Sequence, residues 1–165
     1  MSSDSFSKDL IKQAIVAEID GQKFYKMLVQ KTNNPDAKRK LQSLADDEVR
    51  HEDLLIKMYK DLHGEDVNGL PAVGVGVLSK FFAENRDKED LSENQYIDMA
   101  IEAELAATNF YKDGAKNAPN DEIKKLCDGM ATEEYSHFEL LQAEKDAIAG
   151  NHFWFGYDDG APMEM

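Results

Sequence analysis

Two stretches of the chain each place a glutamate and a histidine three residues apart. DEVRHEDLL covers residues 47–55, and EEYSHFELL covers residues 133–141. On an α-helix, the spacing Glu-x-x-His puts both side chains on one face about one turn apart, where they can bind the same metal ion. A single motif of this kind occurs by chance in many helices. A second copy followed by the same two leucines indicates that the two stretches are related.

The relation extends beyond these motifs, because the two halves of the chain match without a gap at an offset of 86 residues. AIVAE at 14–18 matches AIEAE at 100–104, and FYK at 24–26 matches FYK at 110–112. Three chemically important residues occur in both halves. They are Glu18, Glu48 and His51 in the first half and Glu104, Glu134 and His137 in the second. A duplicated helical hairpin accounts for the pattern.

The repeated carboxylates fall on the apolar side of each predicted helix. At 100° per residue, Glu18 shares its face with Ile11 and Ile15. Four carboxylates withdrawn from water together cost on the order of several kcal/mol each and repel one another. The same faces offer no cation in mid-bundle, since Arg50 points about 200° away from Glu48.

Protonation of all four carboxylates would remove the repulsion, but it would leave the histidines and the symmetry of the pattern unexplained. Two divalent cations would supply the missing positive charge. Four carboxylates and two imidazoles suit iron or manganese, whereas structural zinc sites usually combine cysteine and histidine. The repeated set therefore predicts a site for two metal ions.

Four segments of helical periodicity position these residues. They cover about residues 7–31, 34–64, 92–117 and 120–150. Asn34 followed by Pro35 is typical of a helix start, and Ser92 with Gln95 predicts a capping box. Residues 64–90 are too many for a tight turn, and their stretch VGVLSKFFAEN predicts a short helix lying over the bundle. Two hairpins joined by this crossover predict an all-α four-helix bundle.

Composition limits the other possibilities. We expect one domain over residues 1–150 and an aromatic, acidic tail over 151–165 that docks through Phe153, Trp154 and Phe155. A net charge of −14 argues against nucleic-acid partners. The absence of a long apolar run and of a secretion signal predicts a cytoplasmic protein without a membrane partner. The single cysteine, Cys127, excludes an internal disulfide, and we expect it to be buried.

The chain resembles the ferritin-like di-iron carboxylate superfamily, most closely its rubrerythrin-type members, over about residues 8–149. The resemblance implies two iron ions. Glu18 and His51 would be terminal ligands of one ion, Glu104 and His137 of the other. Glu48 and Glu134 would bridge the two ions.

Four further residues are candidates for supporting roles. Tyr25 and Tyr111 each follow a single glutamate by seven residues and return to nearly the same face. Their hydroxyls could bond ligand carboxylates across the core and assist with a proton, or they could be core tyrosines bonded elsewhere. The resemblance further implies that Asp47 accepts a hydrogen bond from His137 and Glu133 from His51. The alternative for both acids is a solvated position on a helix edge.

The resemblance implies a non-haem di-iron oxidoreductase that reduces peroxide or dioxygen. A rubredoxin module is missing, so we expect a separate electron-donor protein. The chain has Ala107 where rubrerythrins carry a further glutamate. A ferroxidase or iron-handling protein, with ferrous iron as substrate, is the second hypothesis. A non-catalytic metal-bound bundle acting through its tail is the third.

We also expect the protein to form a homodimer. His63 and His152 lack repeat partners, and we expect both to be exposed.

Overall fold

The computed structural model describes residues 3–74 and 76–150, and these residues form helices and connecting loops without a strand. The helices are α1 (Ser3–Lys31), α2 (Pro35–His63), α3 (Val77–Ala83), α4 (Glu93–Lys116) and α5 (Asp121–Ala149). A single 3-10 turn, Arg86–Lys88, precedes α4. The predicted all-α class and four-helix bundle are confirmed. The prediction for the tail falls on residues 151–165, which lie outside the described residues.

The ends of the long helices follow the capping residues that the sequence contains. The side chain of Asn34 accepts hydrogen bonds from the backbone of Asp36 and Ala37, and its repeat partner Asn120 caps α5 in the same way. Ser92 and Gln95 form both hydrogen bonds of a capping box. α1 begins four residues earlier than the apolar periodicity predicts. Polar Ser7, whose hydroxyl bonds the Asp4 carbonyl, extends the helix beyond its apolar stripe.

α1 packs against α2 and α4 packs against α5, as expected for two hairpins. Their buried faces form two apolar clusters, one at each end of the bundle. One includes Phe24, Leu28, Leu41, Leu44, Ile97 and Leu141. The other includes Ile11, Ile15, Leu55, Tyr59, Ile123 and Met130. The repeated glutamates and histidines lie between these clusters on every long helix, so a polar layer crosses the middle of the core.

The crossover contains the short helix expected within VGVLSKFFAEN, now observed as α3. It packs against α1 and α4. The Phe81 ring meets the Phe24 ring edge-on at 5.7 Å. The hydroxyl of Ser79 donates to the buried carboxylate of Asp20 at 2.5 Å. α3 is therefore fixed to α1 by an apolar and a polar contact.

Two minor expectations have opposite outcomes. Cys127 is buried, as predicted. His63 is not an exposed histidine, because its side chain is only 3% exposed and its ring packs on Tyr59 while Nδ1 meets Asp4 at 2.8 Å. The N-terminal turn of α1 covers it, a long-range contact that lies outside any local pattern. Within the described part of the chain, the helices all lack the combination of length and apolar character required to cross a membrane.

Candidate metal centre

The six repeated residues lie together in the polar layer, and each is at most 7% exposed. They form two groups of four residues. The first group is Glu18, Glu48, His51 and Glu134, and the second is Glu48, Glu104, Glu134 and His137. In each group, one donor atom per residue lies within 4.8 Å of all the others. Two of the glutamates therefore belong to both groups.

The shared glutamates turn one oxygen toward each histidine. Nδ1 of His51 lies 3.5 Å from Oε2 of Glu48 and 3.0 Å from Oε1 of Glu134. Nδ1 of His137 lies 3.7 Å from Oε1 of Glu48 and 3.4 Å from Oε2 of Glu134. The two imidazole rings are nearly parallel, with centroids 5.7 Å apart. The opposite oxygens of each shared carboxylate thus face two adjacent positions.

The unshared glutamates complete one group each. Oε2 of Glu18 lies 3.3 Å from Nδ1 of His51, and Oε2 of Glu104 lies 3.7 Å from Nδ1 of His137. Each of them belongs to one group only. Every helix of the bundle except α3 therefore contributes ligand-type side chains, and the repeat relates the two groups.

Two buried tyrosines hold the unshared glutamates from across the core. The hydroxyl of Tyr25 donates to Oε1 of Glu104, and that of Tyr111 donates to Oε1 of Glu18. The two hydrogen bonds occupy equivalent positions in the 86-residue repeat. Both hydroxyls therefore contact the carboxylate cluster rather than a distant partner, while their part in a reaction stays a prediction.

Two buried ligand-type atoms of the cluster would be available to a cation once the groups are deprotonated. Within the described residues, Oε1 of Glu134 and Nδ1 of His137 have no hydrogen-bond partner, although Oε1 of Glu134 lies close to His51. Buried polar atoms are seldom left unpaired in native proteins. A carboxylate and imidazole set with such atoms turned inward is compatible with a di-iron site.

The backbone of α1 comes unusually close to one shared glutamate. A Cβ atom at Gly21 would lie 3.3 Å from both Cγ and Cδ of Glu48. Glycine here leaves room for the Glu48 side chain to lie flat against α1. An alanine would displace that carboxylate by a few tenths of an ångström.

The outer nitrogens of the two histidines point to carboxylates of the opposite half. Nε2 of His51 lies 3.1 Å from Oε2 of Glu133, and Nε2 of His137 lies 3.3 Å from Oδ2 of Asp47. Hydrogen bonds of this kind fix the ring and leave Nδ1 free for a cation. These are the positions that the resemblance implied for Asp47 and Glu133.

Sequence reasoning missed one residue of this network. The guanidinium of Arg50 donates to Oδ1 of Asp47 at 3.0 Å and also to Oε2 of Glu133. It points away from the cluster, as its position on α2 requires, yet it joins the two carboxylates that orient the histidines. Its repeat partner is Ser136, so the repeat gave no signal.

The cluster strongly perturbs its own protonation. Burial raises the pKa of Glu104 to about 8, and the neighbouring Glu134 carboxylate adds to that effect. Burial and the Glu18 carboxylate also hold the pKa of Glu48 well above its usual range. For Glu134 the nearby His137 and His51 outweigh burial and lower the pKa to about 2.

The histidines respond in the opposite direction to their usual behaviour in a core. Burial alone would lower their pKa values, but the surrounding glutamates outweigh it. The pKa of His137 rises to about 10, and that of His51 rises further. At neutral pH the metal-free cluster therefore contains imidazolium cations and protonated carboxyls. These bound protons reduce the negative charge of the cluster, as bound metal ions would.

A pocket of about 270 Å³ leads from the surface to this cluster between α1, α3 and α4. Its inner end includes Tyr25 and Glu134. Small side chains line its walls, and several are repeat partners: Ala17 with Ala103, and Gly21 with Ala107. Sequence reasoning found no pocket, although these paired small residues on the ligand-bearing faces of α1 and α4 were a possible signal.

Solved structures with this architecture come from several sources. A hypothetical protein from Pyrococcus furiosus is 27% identical, with a TM-score of 0.73 over 90% of this chain and 93% of that chain. CopM in its Cu(II)-bound form is 14% identical, with a TM-score of 0.69 over 86% of this chain and 97% of that chain. A conserved hypothetical protein from Mycobacterium tuberculosis is 12% identical, with a TM-score of 0.63 over 98% of this chain and 100% of that chain.

The last two likenesses concern the fold alone, because their identities are low. No curated protein shows significant similarity to the chain. The family comparison is more specific, since the rubrerythrin family model matches residues 9–145. That range contains both copies of Glu-x-x-His, both unshared glutamates and both tyrosines of the centre. The chain belongs to the rubrerythrin family.

Proposed function

We propose that this protein is a non-haem di-iron oxidoreductase whose main oxidant is a peroxide, with dioxygen as a slower alternative. The observation that supports this most is the pair of four-residue groups that share Glu48 and Glu134. Two ferrous ions held there would supply the two electrons that reduce a peroxide. The six ligands would be Glu18, Glu48, His51, Glu104, Glu134 and His137.

The surrounding residues shape the chemistry in two ways. The apolar clusters on both sides of the polar layer shield the ligands from bulk water except along the pocket. Burial and the neighbouring glutamates raise the pKa of Tyr25 and of Tyr111 well above the ordinary value, so both hydroxyls keep their protons at neutral pH. Each hydroxyl therefore orients a carboxylate and holds a proton beside the site.

The electron donor lies outside these 165 residues in this proposal, since a single cysteine cannot form a rubredoxin centre. Manganese remains an alternative to iron, because the donor atoms suit both. A cytoplasmic location and a homodimer also belong to the proposal. The acidic surface is consistent with a soluble cytoplasmic protein but does not select a donor.

The direct test is to load metal-free protein with two equivalents of ferrous iron without oxygen and to mix it with hydrogen peroxide or with dioxygen. Absorbance reports the formation of ferric protein. We expect peroxide to react at least about tenfold faster than dioxygen, one order of magnitude being a barrier difference of about 1.4 kcal/mol. Equally slow reactions with both oxidants would contradict a peroxide reductase.

The same preparation separates this proposal from iron handling. Repeated additions of ferrous iron with oxidant should leave two ferric ions per chain in the protein. Accumulation of more ferric iron than the two groups can hold would instead identify iron as the substrate. Elemental analysis after gel filtration gives the count, and anomalous scattering at the iron and manganese edges identifies the metal.

The two tyrosines give a more specific prediction. Tyr25→Phe and Tyr111→Phe each remove the only hydroxyl donor to one oxygen of a buried glutamate among the described residues. We expect each change to lower the free energy of unfolding by about 1–3 kcal/mol and to slow peroxide reduction by about tenfold or more. Urea denaturation and stopped-flow absorbance measure the two effects.

Tyr59→Phe is the matched control, because Tyr59 is equally buried but its hydroxyl reaches Glu65, away from the cluster. It should leave the peroxide rate nearly unchanged. A rate in Tyr25→Phe and Tyr111→Phe equal to that in the control would show that these hydroxyls have no part in the reaction.

A further inference from the structure

The pocket that reaches the cluster is larger than small inorganic oxidants require. Its volume is about 270 Å³. A water molecule occupies about 30 Å³ of the liquid, whereas an apolar cavity of roughly 150 Å³ is sufficient to bind benzene. The pocket can therefore hold an organic group larger than a benzene ring.

The walls of the pocket are mostly apolar between its mouth and the cluster, with Gln13 and the hydrogen-bonded pair Asp20 and Ser79 as polar exceptions. α3 supplies Val77 and Leu78, and α4 supplies Ala107 and Phe110. The exposed residues Gly76 and Ala106 mark the mouth. Such a surface favours hydrocarbon over water. Ala107 is important for the shape, because any longer side chain one turn after Glu104 would project into this space.

The inner end of the pocket is polar. Glu134 lines it and is 1% exposed, with its Oε1 atom 3.0 Å from Nδ1 of His51. The hydroxyl-bearing rings of Tyr25 and Tyr111 line the same end. A ligand that fits must therefore combine an apolar body with a small polar head that reaches the cluster.

We propose that the pocket binds the apolar group of an organic hydroperoxide, R–O–O–H, and directs its O–O bond toward the carboxylate cluster. This inference rests on the proposed function and specifies its substrate class. An alkyl or aryl group would lie along Ala107, Phe110 and Leu78. The hydroperoxide head would lie beside Glu134 and the tyrosine hydroxyls.

The reaction requires two electrons, as does the peroxide reduction proposed above. The O–O bond breaks as two electrons and two protons enter, so that R–O–O–H yields the alcohol R–O–H and one water molecule. Two ferrous ions held by the six ligands would supply the electrons on oxidation to the ferric state, and the external donor would restore them. The protons come from solvent through groups at the polar end of the pocket.

Binding is tested first on the metal-free protein, which separates the pocket from metal chemistry. The probe is 2-phenyl-2-propanol, the alcohol formed from cumene hydroperoxide, and ligand-observed NMR gives its dissociation constant. Ala107→Leu and Ala17→Leu each fill the pocket from a different helix. Each should weaken binding by about tenfold or more, the usual scale for steric discrimination in an apolar pocket.

Ala143→Leu is the control, because this exposed alanine on α5 lies outside the pocket. It should bind the alcohol as tightly as the unmodified protein. Thermal denaturation checks that all three variants are folded, and the use of two pocket variants keeps the test valid if one of them fails to fold.

The second readout compares two oxidants on the ferrous-loaded protein. Cumene hydroperoxide should react readily with the unmodified protein, and Ala107→Leu should lower this rate about tenfold more than it lowers the hydrogen peroxide rate. A selective loss of this kind supports the inference. Equal effects on both peroxides would overturn it, because the substitution would then act on the centre rather than on the organic group.

Two negative results have different meanings. Hydrogen peroxide reduction without alcohol binding, or without a reaction with cumene hydroperoxide, overturns the substrate class and leaves the proposed function intact. Failure of both peroxides to oxidise the ferrous protein overturns the proposed function and the hydroperoxide assignment with it. The alcohol-binding data then show whether the pocket accepts an apolar molecule of another class.

Discussion

The hydrogen bonds around the cluster cross from one half of the chain to the other. Tyr25 of the first half donates a hydrogen bond to Glu104 of the second, and Tyr111 of the second half donates one to Glu18 of the first. The histidines do the same through Glu133 and Asp47. Neither hairpin alone contains a complete site. This exchange explains why the repeat preserves tyrosine, glutamate and histidine together, since each half completes the other.

Arg50 breaks that symmetry and gives a prediction at the scale of one residue. Its guanidinium contacts both carboxylates that orient the histidine rings. We expect Arg50→Ala to weaken metal binding by about threefold to tenfold, less than the loss usual for a direct partner of a ligand. The free energy of unfolding of the metal-free protein should change by less than about 1 kcal/mol, because the ion pairs are exposed.

Competition with a chelating dye measures the metal affinity of this variant. Arg39→Ala is the control, since Arg39 makes an exposed ion pair with Asp36 on the same helix, far along the chain from the cluster. Equal metal affinities in the two variants would show that Arg50 contributes only surface charge. Recovery of affinity in Arg50→Lys would indicate that charge rather than the forked guanidinium is required.

At the scale of elements, α3 matters because it forms one wall of the pocket. Its Ser79 hydroxyl donates to Asp20, a carboxylate that is 7% exposed and otherwise meets only Lys23, at 3.4 Å, among the described contacts. Ser79→Ala should lower the free energy of unfolding by about 1–3 kcal/mol, because it leaves a buried carboxylate short of a donor. Amide hydrogen exchange in α3 should accelerate.

Chemical denaturation and hydrogen exchange measure these two effects. Ser43→Ala, at an exposed position on α2, provides the comparison for the loss of a serine hydroxyl. If exchange in α3 were unchanged while the whole protein lost stability, the bond between Ser79 and Asp20 would support the bundle generally rather than fix the crossover helix.

The helices were predictable because their signals are local. Asn34, Ser92 and Asn120 mark helix starts through contacts within three residues, and the apolar period needs only one helix at a time. The convergence of the six ligand-type residues was predictable for a different reason. The repeat shows that the two hairpins carry the same polar residues at the same height along the bundle. When the hairpins pack together, these residues therefore have to meet in one layer.

The features that could not be predicted from the sequence depend on distances between helices. Arg50 points away from Glu48 along its own helix, and only the approach of α5 brings Glu133 within reach. The pocket likewise arises from the space that α1, α3 and α4 leave between them. His63 was wrongly expected to be exposed, because the turn that covers it belongs to a segment 59 residues away. The contacts of Arg50 and His63 have no period or local motif in the sequence.

At the scale of the whole molecule, the polar layer makes stability depend on protons and metal together. In the metal-free protein the pKa of Glu104 is raised from 4.5 to about 8, and that of His137 from 6.5 to about 10. A raised pKa means that the folded state keeps a proton that the unfolded state releases. The stabilisation is complete below the unfolded value and is lost as pH rises through the folded value.

We therefore expect the melting temperature of the metal-free protein to fall as pH rises from about 4.5 to about 10, first through the range of Glu104 and then through that of His137. Divalent metal competes with these protons, so its binding should release protons and should stabilise the protein more as pH rises. Thermal denaturation followed by circular dichroism, with chelator or with manganous ion, measures both trends. The gap between the two melting temperatures should widen toward alkaline pH.

Glu104→Gln tests the origin of this dependence, because the amide stays neutral at every pH. It should flatten the metal-free curve between about pH 4.5 and 8 and should reduce the stabilisation by metal. Glu102→Gln, an exposed change on the same helix, should retain the original slope. Parallel curves for the two variants would show that the pH dependence arises from the acidic surface, whose net charge is −14, rather than from the buried layer.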